Sequence, residues 1–176
     1  MPAYTVFLSS TFADFARERA KLAGVLSFAG VHVSLAEREG DRGKQLYDAL
    51  REMIDASDLV VLLIGSRAGT VSETGECWTK KEVDYAFSTG KRVFAYIRET
   101  PHELITLTDA NKDGEAAVRS LLEAVKQKIA VIPRYKRGEC CKLTAMVVRD
   151  VVRHVEELKT IKELNTYADS FTDPKE

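Results

Sequence analysis

The sequence predicts an α/β fold in which helices cover both faces of a parallel sheet of about five strands. Short apolar runs alternate with helical patterns along the chain, and this alternation is typical of βαβ units with right-handed crossovers. The run DLVVLLIG is apolar without alternation, as expected of a strand that is covered on both faces. A chain of 176 residues with 45% hydrophobic content can bury a core of useful size. Together these observations predict a three-layer, flavodoxin-like sandwich.

Five apolar runs are the predicted strands of this sheet. Because parallel strands end at the same edge of a sheet, the residues that follow them come together, and ligands of open α/β sheets bind at that edge. The residues after each run are therefore the first place to look for a site. The predicted strands are Tyr4–Ser9, Val31–Leu35, Asp58–Gly65, Arg92–Ile97 and Ile129–Pro133.

Five helical patterns lie between and after the strands. The first begins at the turn SSTFAD and ends at Gly30, and the second carries apolar residues at a 3.6-residue period from Leu46 to Ile54. The third covers Trp78–Gly90, and the last two cover about 115–128 and about 144–164. The expected organisation is an α/β domain over residues 1–135, a C-terminal helix over 136–164 packed on the same domain, and a flexible tail over 165–176.

Composition excludes several classes of partner. Lys and Arg number 26 against 27 Asp and Glu, so no excess of positive charge points to nucleic acid or an anionic membrane. No apolar run approaches the roughly 20 residues that cross a bilayer, and the first residues lack the basic start of a secretory signal. The three cysteines have no C-x-x-C spacing, which suits a reducing compartment. These features favour a cytoplasmic protein.

Polar residues follow the first and third strands. Ser9, Ser10 and Thr11 precede a helix N-terminus, where free N–H groups and the helix dipole favour an anion, so a phosphate or ribose contact is one interpretation and simple N-capping is the other. Arg67 lies just beyond the third strand and could bind a phosphate, or it could have a structural partner. The glycine fingerprints of a Rossmann dinucleotide loop and of a P-loop are both absent here.

The helix Trp78–Gly90 carries one carboxylate in an unusual position. At about 100° per residue, Lys80, Lys81 and Asp84 fall on a solvated face opposite the core stripe. Glu82 lies on neither face and shares a boundary row with aromatic residues at helical spacing. It is therefore a candidate for chemistry, and the alternative is a half-exposed glutamate paired with Lys81 or Arg92. The core stripe is Thr79, Val83, Ala86, Phe87 and Gly90, and the boundary row is Trp78, Glu82, Tyr85 and Thr89.

Three segments carry a resemblance to a known family. VFLSSTFADFARER, SDLVVLLIGSRAG and TKKEVDYAFSTGKRVFAYI, within Tyr4–Arg98, resemble a TIR-like domain family of unknown function that forms the N-terminal module of large NTPase and repeat proteins. TIR-type domains that hydrolyse NAD carry a catalytic glutamate on the helix after the third strand. In some of them a tryptophan lies four residues earlier, in a W-x-x-K/R-E pattern, and WTKKE in this chain is similar to it.

The resemblance implies a function in signalling or defence and an NAD(P) glycohydrolase activity, with the nucleotide as substrate, no cofactor, and a homo-oligomer or larger signalling assembly as partner. One carboxylate can serve this reaction, since nicotinamide leaves as a neutral ring and needs no general acid, unlike the sugar leaving groups of glycosidases. The carboxylate would stabilise the oxocarbenium-like charge. The implied catalytic residue is Glu82. The implied substrate-binding residues are Ser9, Ser10, Thr11, Arg67, Trp78 and Tyr85.

Two other functions fit the same residues. The first is a non-enzymatic TIR-like assembly or signalling module, and the second is an N-ribosyl transferase similar to nucleoside deoxyribosyltransferases, which are flavodoxin-like and use a glutamate. A metal centre is not predicted, because His32, His102 and His154 are scattered without ligand spacing. A serine hydrolase is not predicted either, because no G-x-S-x-G elbow is present.

Overall fold

The computed structural model describes residues 4–35, 44–67, 77–99 and 112–169. Within these residues strands and helices alternate in the order that the sequence predicts. The elements are β1 (Tyr4–Ser10), α1 (Phe12–Phe28), β2 (Val31–Leu35), α2 (Lys44–Asp55), β3 (Leu59–Ile64), α3 (Trp78–Ser88), β4 (Arg92–Glu99), α4 (Lys112–Lys128), β5 (Arg134–Lys136) and α5 (Cys140–Asp169).

The five strands form one parallel sheet in the order β2-β1-β3-β4-β5. Strand β3 lies at its centre, and all six of its residues are buried. One face of the sheet packs against α2, α3 and α4. The other packs against α1 and α5. The prediction of a three-layer α/β sandwich is therefore confirmed. In the order β2-β1-β3 the strand order reverses between β1 and β3, and ligand crevices of open α/β sheets form at such a point.

The fifth strand is not where the sequence predicts it. Apolar residues predicted a strand over Ile129–Pro133, but β5 is Arg134–Lys136. Its central residue, Tyr135, is 1% exposed and packs into the α1 and α5 core. Ile129 and Ile132 are instead covered by the cluster on the α2, α3 and α4 face. Burial by packing, without strand pairing, explains why their apolar character was misleading.

The start of α1 is fixed by Arg98 of β4 and by Gly65, the residue directly after β3. The helix is kinked at Phe15, whose φ and ψ are −124° and 17°. Arg98, on β4, donates from Nη1 to the carbonyl oxygen of Asp14 at 2.6 Å, and its guanidinium lies 4.3 Å from the centroid of the Phe15 ring. Gly65, directly after β3, lets the ring approach so closely that a Cβ there would be 3.0 Å from Phe15 Cζ. The first turn of α1 is thereby held over the carboxyl end of the sheet.

The C-terminal helix α5 is longer than the sequence predicts, because it runs from Cys140 to Asp169. It contacts α1 and β4, and its first half contributes Leu143, Val147 and Val151 to the core. Residues 170–176 of the predicted tail lie outside the described residues. Among the described helices, none combines the length and the apolar character that crossing a bilayer requires.

Candidate functional site

Glu82 is buried and hydrogen-bonded to the end of β1. Its relative exposure is 2%, and that of Ser9 is 1%. The Ser9 hydroxyl donates to Glu82 Oε2 at 2.5 Å. Because side chains alternate along β1, Ser9 faces the α3 layer together with Phe7. Glu82 is thus deeper than the boundary row of the helical wheel predicts, and it is buried where the alternative interpretation expected a half-exposed side chain.

Two buried threonine hydroxyls occur next to this pair in sequence. Thr11 Oγ1 and Thr79 Oγ1 have no hydrogen-bond partner among the described residues. Thr11 is the N-cap residue of α1 but makes no side-chain cap bond, so simple capping does not account for it. Thr79 precedes Glu82 by three residues, about one turn of α3. Buried hydroxyls in native proteins nearly always have a partner, so these two are unexplained by the described residues, and a ligand or a water molecule would supply the missing bonds.

The sequence analysis assigned Thr79 to the core and missed its hydroxyl. Its burial was correct, since Thr79 is 2% exposed. The signal that could have identified it is its spacing, because residues three apart on a helix lie on adjacent turns of the same side. A polar side chain at that distance from the candidate carboxylate belongs in the list of possible ligand contacts.

Trp78, at the start of α3, is buried against α2. It is 7% exposed, and its ring centroid lies 6.3 Å from that of Tyr47 on α2. The ammonium of Lys81 lies 5.1 Å from the indole centroid, at a distance where a cation is attracted to the ring face. The tryptophan therefore packs in the layer that contains Glu82, as a wall built by two helices.

Tyr85 has its hydroxyl at the other end of the sheet. The hydroxyl is 2.9 Å from Oδ1 and 2.8 Å from Oδ2 of Asp55, the last residue of α2. The chain enters β3 four residues later, so Asp55 lies near the amino ends of the strands. The guanidinium of Arg51 lies 4.6 Å from the Tyr85 ring centroid. The structure does not bring this hydroxyl to the carboxyl edge.

Ser10 and Arg67 are engaged by other residues. Arg19 of α1 donates to Ser10 Oγ at 3.2 Å, so Ser10 faces the layer opposite to Glu82. The backbone N–H of Arg67 donates to Asp14 Oδ2 at 3.2 Å, and its Nε is 3.5 Å from Oδ1. The Arg67 side chain is 66% exposed at the carboxyl edge. Its structural partner is Asp14.

Cys77, directly before α3, is a neutral thiol. Burial raises the pKa of Cys77 above its ordinary value, and the nearby Glu82 carboxylate adds to the increase. Thiolate chemistry next to Glu82 is therefore disfavoured. Across the part of the chain that the structure describes, no group of three or more His, Cys, Asp or Glu residues could hold a metal ion. His102 lies outside that part.

The comparisons with known proteins concern the family and the fold. A family model described as "Domain of unknown function (DUF4062)" matches residues 5–145, which is more than half of the chain. No curated protein matches the chain significantly.

Two similar solved structures are TIR domains. One is described as "Structure of the activated Roq1 resistosome directly recognizing the pathogen effector XopQ (TIR domains)"; it is 16% identical, with a TM-score of 0.56 over 85% of this chain and 99% of that chain. The other is "Crystal structure of the RPS4 and RRS1 TIR domain heterodimer", 14% identical, with a TM-score of 0.55 over 85% of this chain and 96% of that one. At these identities the likeness shows a TIR-like fold.

A third structure is a "2-desoxiribosyltransferase from Leishmania mexicana". It is 16% identical and covers 55% of this chain and 66% of that chain, with a TM-score of 0.44. A score this low supports no argument about function.

Proposed function

The chain belongs to the DUF4062 family of domains of unknown function and has a TIR-like fold, and from its buried glutamate we propose that it is an N-glycosidase that cleaves the nicotinamide–ribose bond of NAD(P). Glu82 is the catalytic residue of this proposal. The resemblance of WTKKE to the pattern of NAD-hydrolysing TIR domains supports the assignment, because Trp78 and Glu82 occupy the matching positions.

One observation carries the proposal: Glu82 is 2% exposed and accepts a 2.5 Å hydrogen bond from Ser9 near the carboxyl end of β1. Burying a carboxylate is costly unless hydrogen bonds or charges compensate it, and a neutral or apolar side chain would fill the same space at lower cost. Carboxylates kept under these conditions concentrate at functional sites. The position beside β1 is also where open α/β sheets bind their ligands.

The proposed reaction needs little from the protein beyond charge and orientation. The bond between C1′ of the ribose and the pyridinium nitrogen breaks, its electron pair remains on nitrogen, and nicotinamide leaves as a neutral molecule. Glu82 stabilises the positive charge that develops on the ribose, where a preorganised carboxylate is most effective. Water then forms a bond to C1′ and releases a proton. The products are nicotinamide and ADP-ribose, or its 2′-phosphate.

Ser9 acts in this proposal as a positioning residue. Its hydroxyl holds Glu82 Oε2, so it restricts the rotamer of the carboxylate and does not contact the substrate itself. The unpartnered hydroxyls of Thr11 and Thr79 are suited to the ribose hydroxyls, which both donate and accept hydrogen bonds. A nucleotide would thereby satisfy two of the three buried side-chain polar atoms that lack a partner among the described residues, the third being the Tyr135 hydroxyl.

The test incubates the protein with NAD or NADP, at high protein concentration and under crowding, and measures the released nicotinamide by chromatography. Glu82→Gln keeps the shape of the side chain and removes its charge, so we expect release to fall by roughly 10²–10³-fold, as when one charge-stabilising group is lost. Glu123→Gln, an exposed position on α4, is the matched control and should release nicotinamide at the wild-type rate. Equal rates in both variants would rule out Glu82. No release from wild type under any of these conditions would rule out the activity.

A non-enzymatic assembly module is the alternative that one observation favours. Ile161, Leu164 and Tyr167 follow one another at helical spacing on α5 and are 54%, 60% and 66% exposed. Exposed apolar residues that share one side of a helix mark an interaction surface. An oligomer that forms with rising concentration, without any turnover of NAD, would support this alternative. Base exchange between added nucleosides would instead support an N-ribosyl transferase.

A further inference from the structure

The edge of β4 is open over most of its length. β4 spans Arg92–Glu99, but β5 pairs only with Ile97–Glu99. The N–H of Ile97 donates to the carbonyl oxygen of Pro133 at 3.0 Å, so the backbone groups of Ile97 face β5. Successive residues of a strand direct these groups to alternate edges. The N–H and C=O groups of Val93 and Ala95 therefore face the same edge as Ile97, where no described strand lies.

These four backbone groups lie in an otherwise buried part of the sheet. Val93 is 7% exposed and Ala95 is 3% exposed. Backbone N–H and C=O groups at such depth are almost always paired, because an unpaired one costs about as much as a lost hydrogen bond. An unpaired row of them on a sheet edge is a template for another strand. The edge thus has the hydrogen-bonding pattern that an added strand requires.

A groove of about 880 Å³ runs along this edge, which is within the range of about 300–1,000 Å³ that proteins use for ligands. Its floor is the first part of β4, from Arg92 to Tyr96, and one wall is α5. The other wall is the segment from Lys128 to Pro133, which contributes Val131 with 79% exposure. The groove occupies the position that a longer β5 would fill, since the segment before β5 passes at a distance from β4.

The rim of the groove is positively charged. Its two carboxylates are already engaged: Asp58 accepts from the backbone N–H of Thr5 at 2.6 Å, and Asp150 accepts from the hydroxyl of Tyr96 at 2.8 Å and from Arg149 Nε at 3.0 Å. Complementary charge would attract an acidic partner and select against a basic one. The exposed cations on the rim are Arg92, Lys128, Arg149 and Arg153. Arg149 and Arg153 share one carboxylate, Asp150, at 3.0 and 3.5 Å, so positive charge remains in excess.

We propose that this edge is a docking site for an acidic, extended peptide segment of a partner protein, which adds to the sheet as a strand beside β4. The backbone groups of Val93 and Ala95 supply the hydrogen bonds of the new ladder. The rim cations contact acidic side chains of the segment, and the apolar floor receives the side chains that point inward. This is the strand-addition mode of peptide recognition, in which backbone bonds give affinity and alternate side chains give specificity.

The test uses a labelled synthetic peptide of eight alternating Glu and Val residues with blocked ends, and an analogue methylated on every backbone nitrogen. The analogue keeps the charge and loses the donors of a strand. We expect the unmethylated peptide to bind, with fluorescence anisotropy as the readout. The affinity of the analogue should be lower by roughly 10-fold or more. Binding should slow hydrogen exchange at the Val93 and Ala95 amides specifically. No nucleotide is needed, so the result is independent of the proposed activity.

Charge variants complete the experiment. The double variant Arg92→Glu/Lys128→Glu should weaken binding by roughly 10-fold or more, because the introduced carboxylates then repel the acidic side chains of the peptide. Lys162→Glu, an exposed position further along α5 and outside the groove, changes the net charge by −2, as each of the single variants Arg92→Glu and Lys128→Glu does, and should leave binding within about 2-fold of wild type. Equal binding of the two peptides, no binding by either, or unchanged exchange at Val93 and Ala95 would overturn the proposal. Protection of these amides by rising protein concentration alone would assign the edge to a second copy of this chain and would also overturn it.

Discussion

A substitution at Gly65 tests quantitatively how tightly the carboxyl edge of the sheet is packed. A Cβ at this position would lie 3.0 Å from Cζ and 3.1 Å from Cε2 of Phe15, and 3.1 Å from Asp14 Oδ2. Ordinary carbon contacts are about 3.5–4.0 Å, so the ring must move by a few tenths of an ångström, up to about 0.5 Å. Phe15 is fully buried and has Arg98 against its ring, which leaves little space for that movement. We expect Gly65→Ala to lower the free energy of unfolding by about 1–3 kcal/mol, the usual cost of overpacking.

The matched control is Gly24→Ala in α1. Nothing lies within 4 Å of a Cβ there, and replacing a glycine inside a helix by alanine stabilises by about 0.5–1 kcal/mol. The two substitutions add the same methyl group and should have opposite signs. Gly65 is not among the described glycines with positive φ, which are Gly30, Gly90 and Gly138, so its effect is steric.

Urea unfolding of the two variants provides the measurement. With a slope of about 1–3 kcal/mol per molar urea, a loss of about 2 kcal/mol moves the midpoint by roughly 1 M, which is readily resolved. The slopes should stay equal to that of wild type. If Gly65→Ala unfolds at the wild-type midpoint or above it, Phe15 is not confined by β3, and the account of how α1 is held over the sheet edge is wrong.

Two further predictions concern hydrogen-bonded pairs on α5. Tyr96→Phe removes the hydroxyl that donates to Asp150 and should cost about 1.5–3 kcal/mol of unfolding free energy at neutral pH, as for bonds to charged groups. Burial opposes the charge of Asp150, but the hydrogen bonds to its carboxylate outweigh burial and lower the pKa of Asp150 below 3.8. The cost of Tyr96→Phe should therefore be present above pH 3.8 and shrink as the pH falls through the pKa of Asp150 in the folded protein. A cost that stays constant down to pH 2 would contradict the assignment. The hydrogen bond from Lys21 at 3.0 Å lowers the pKa of the exposed Cys141 thiol, so mass spectrometry should find iodoacetamide reacting with Cys141 before the buried Cys77, and more slowly in Lys21→Met. Equal alkylation rates in Lys21→Met and wild type would exclude this pairing.

Much of the fold follows from local sequence patterns. The uninterrupted apolar run of β3 predicted a strand covered on both faces, and all six residues of Leu59–Ile64 are buried. Within α3, the predicted core residues Thr79, Val83 and Ala86 are also buried, whereas Phe87 is only partly buried and Gly90, beyond the end of the helix, is exposed. These predictions succeed because strand burial and helix amphipathicity repeat over two to four residues, a distance over which sequence pattern alone is informative. The family resemblance was likewise carried by short contiguous segments.

The parts that could not be predicted depend on contacts between distant residues. Ser9 and Glu82 are separated by 73 positions, and the wheel of α3 alone placed the glutamate at a boundary, because it could not include the layer that β1 adds. The position of β5 depends on one tyrosine, Tyr135, whose burial against α1 and α5 is set by the tertiary structure. The groove beside β4 follows from that displacement and has no local sequence signal.

Adjacent residues at the end of β1 anchor different helices, and this makes the domain mechanically asymmetric. Ser10 is bound by Arg19 of α1, while Ser9 is bound to Glu82 of α3. A molecule that draws the Glu82 carboxylate toward itself competes with the bond from Ser9 and leaves the bond between Ser10 and Arg19 in place, so α1 keeps this anchor. Binding of a molecule at Glu82 would then move α3 relative to α2 and α4 on one face of the sheet, while α1 and α5 on the other face keep their positions.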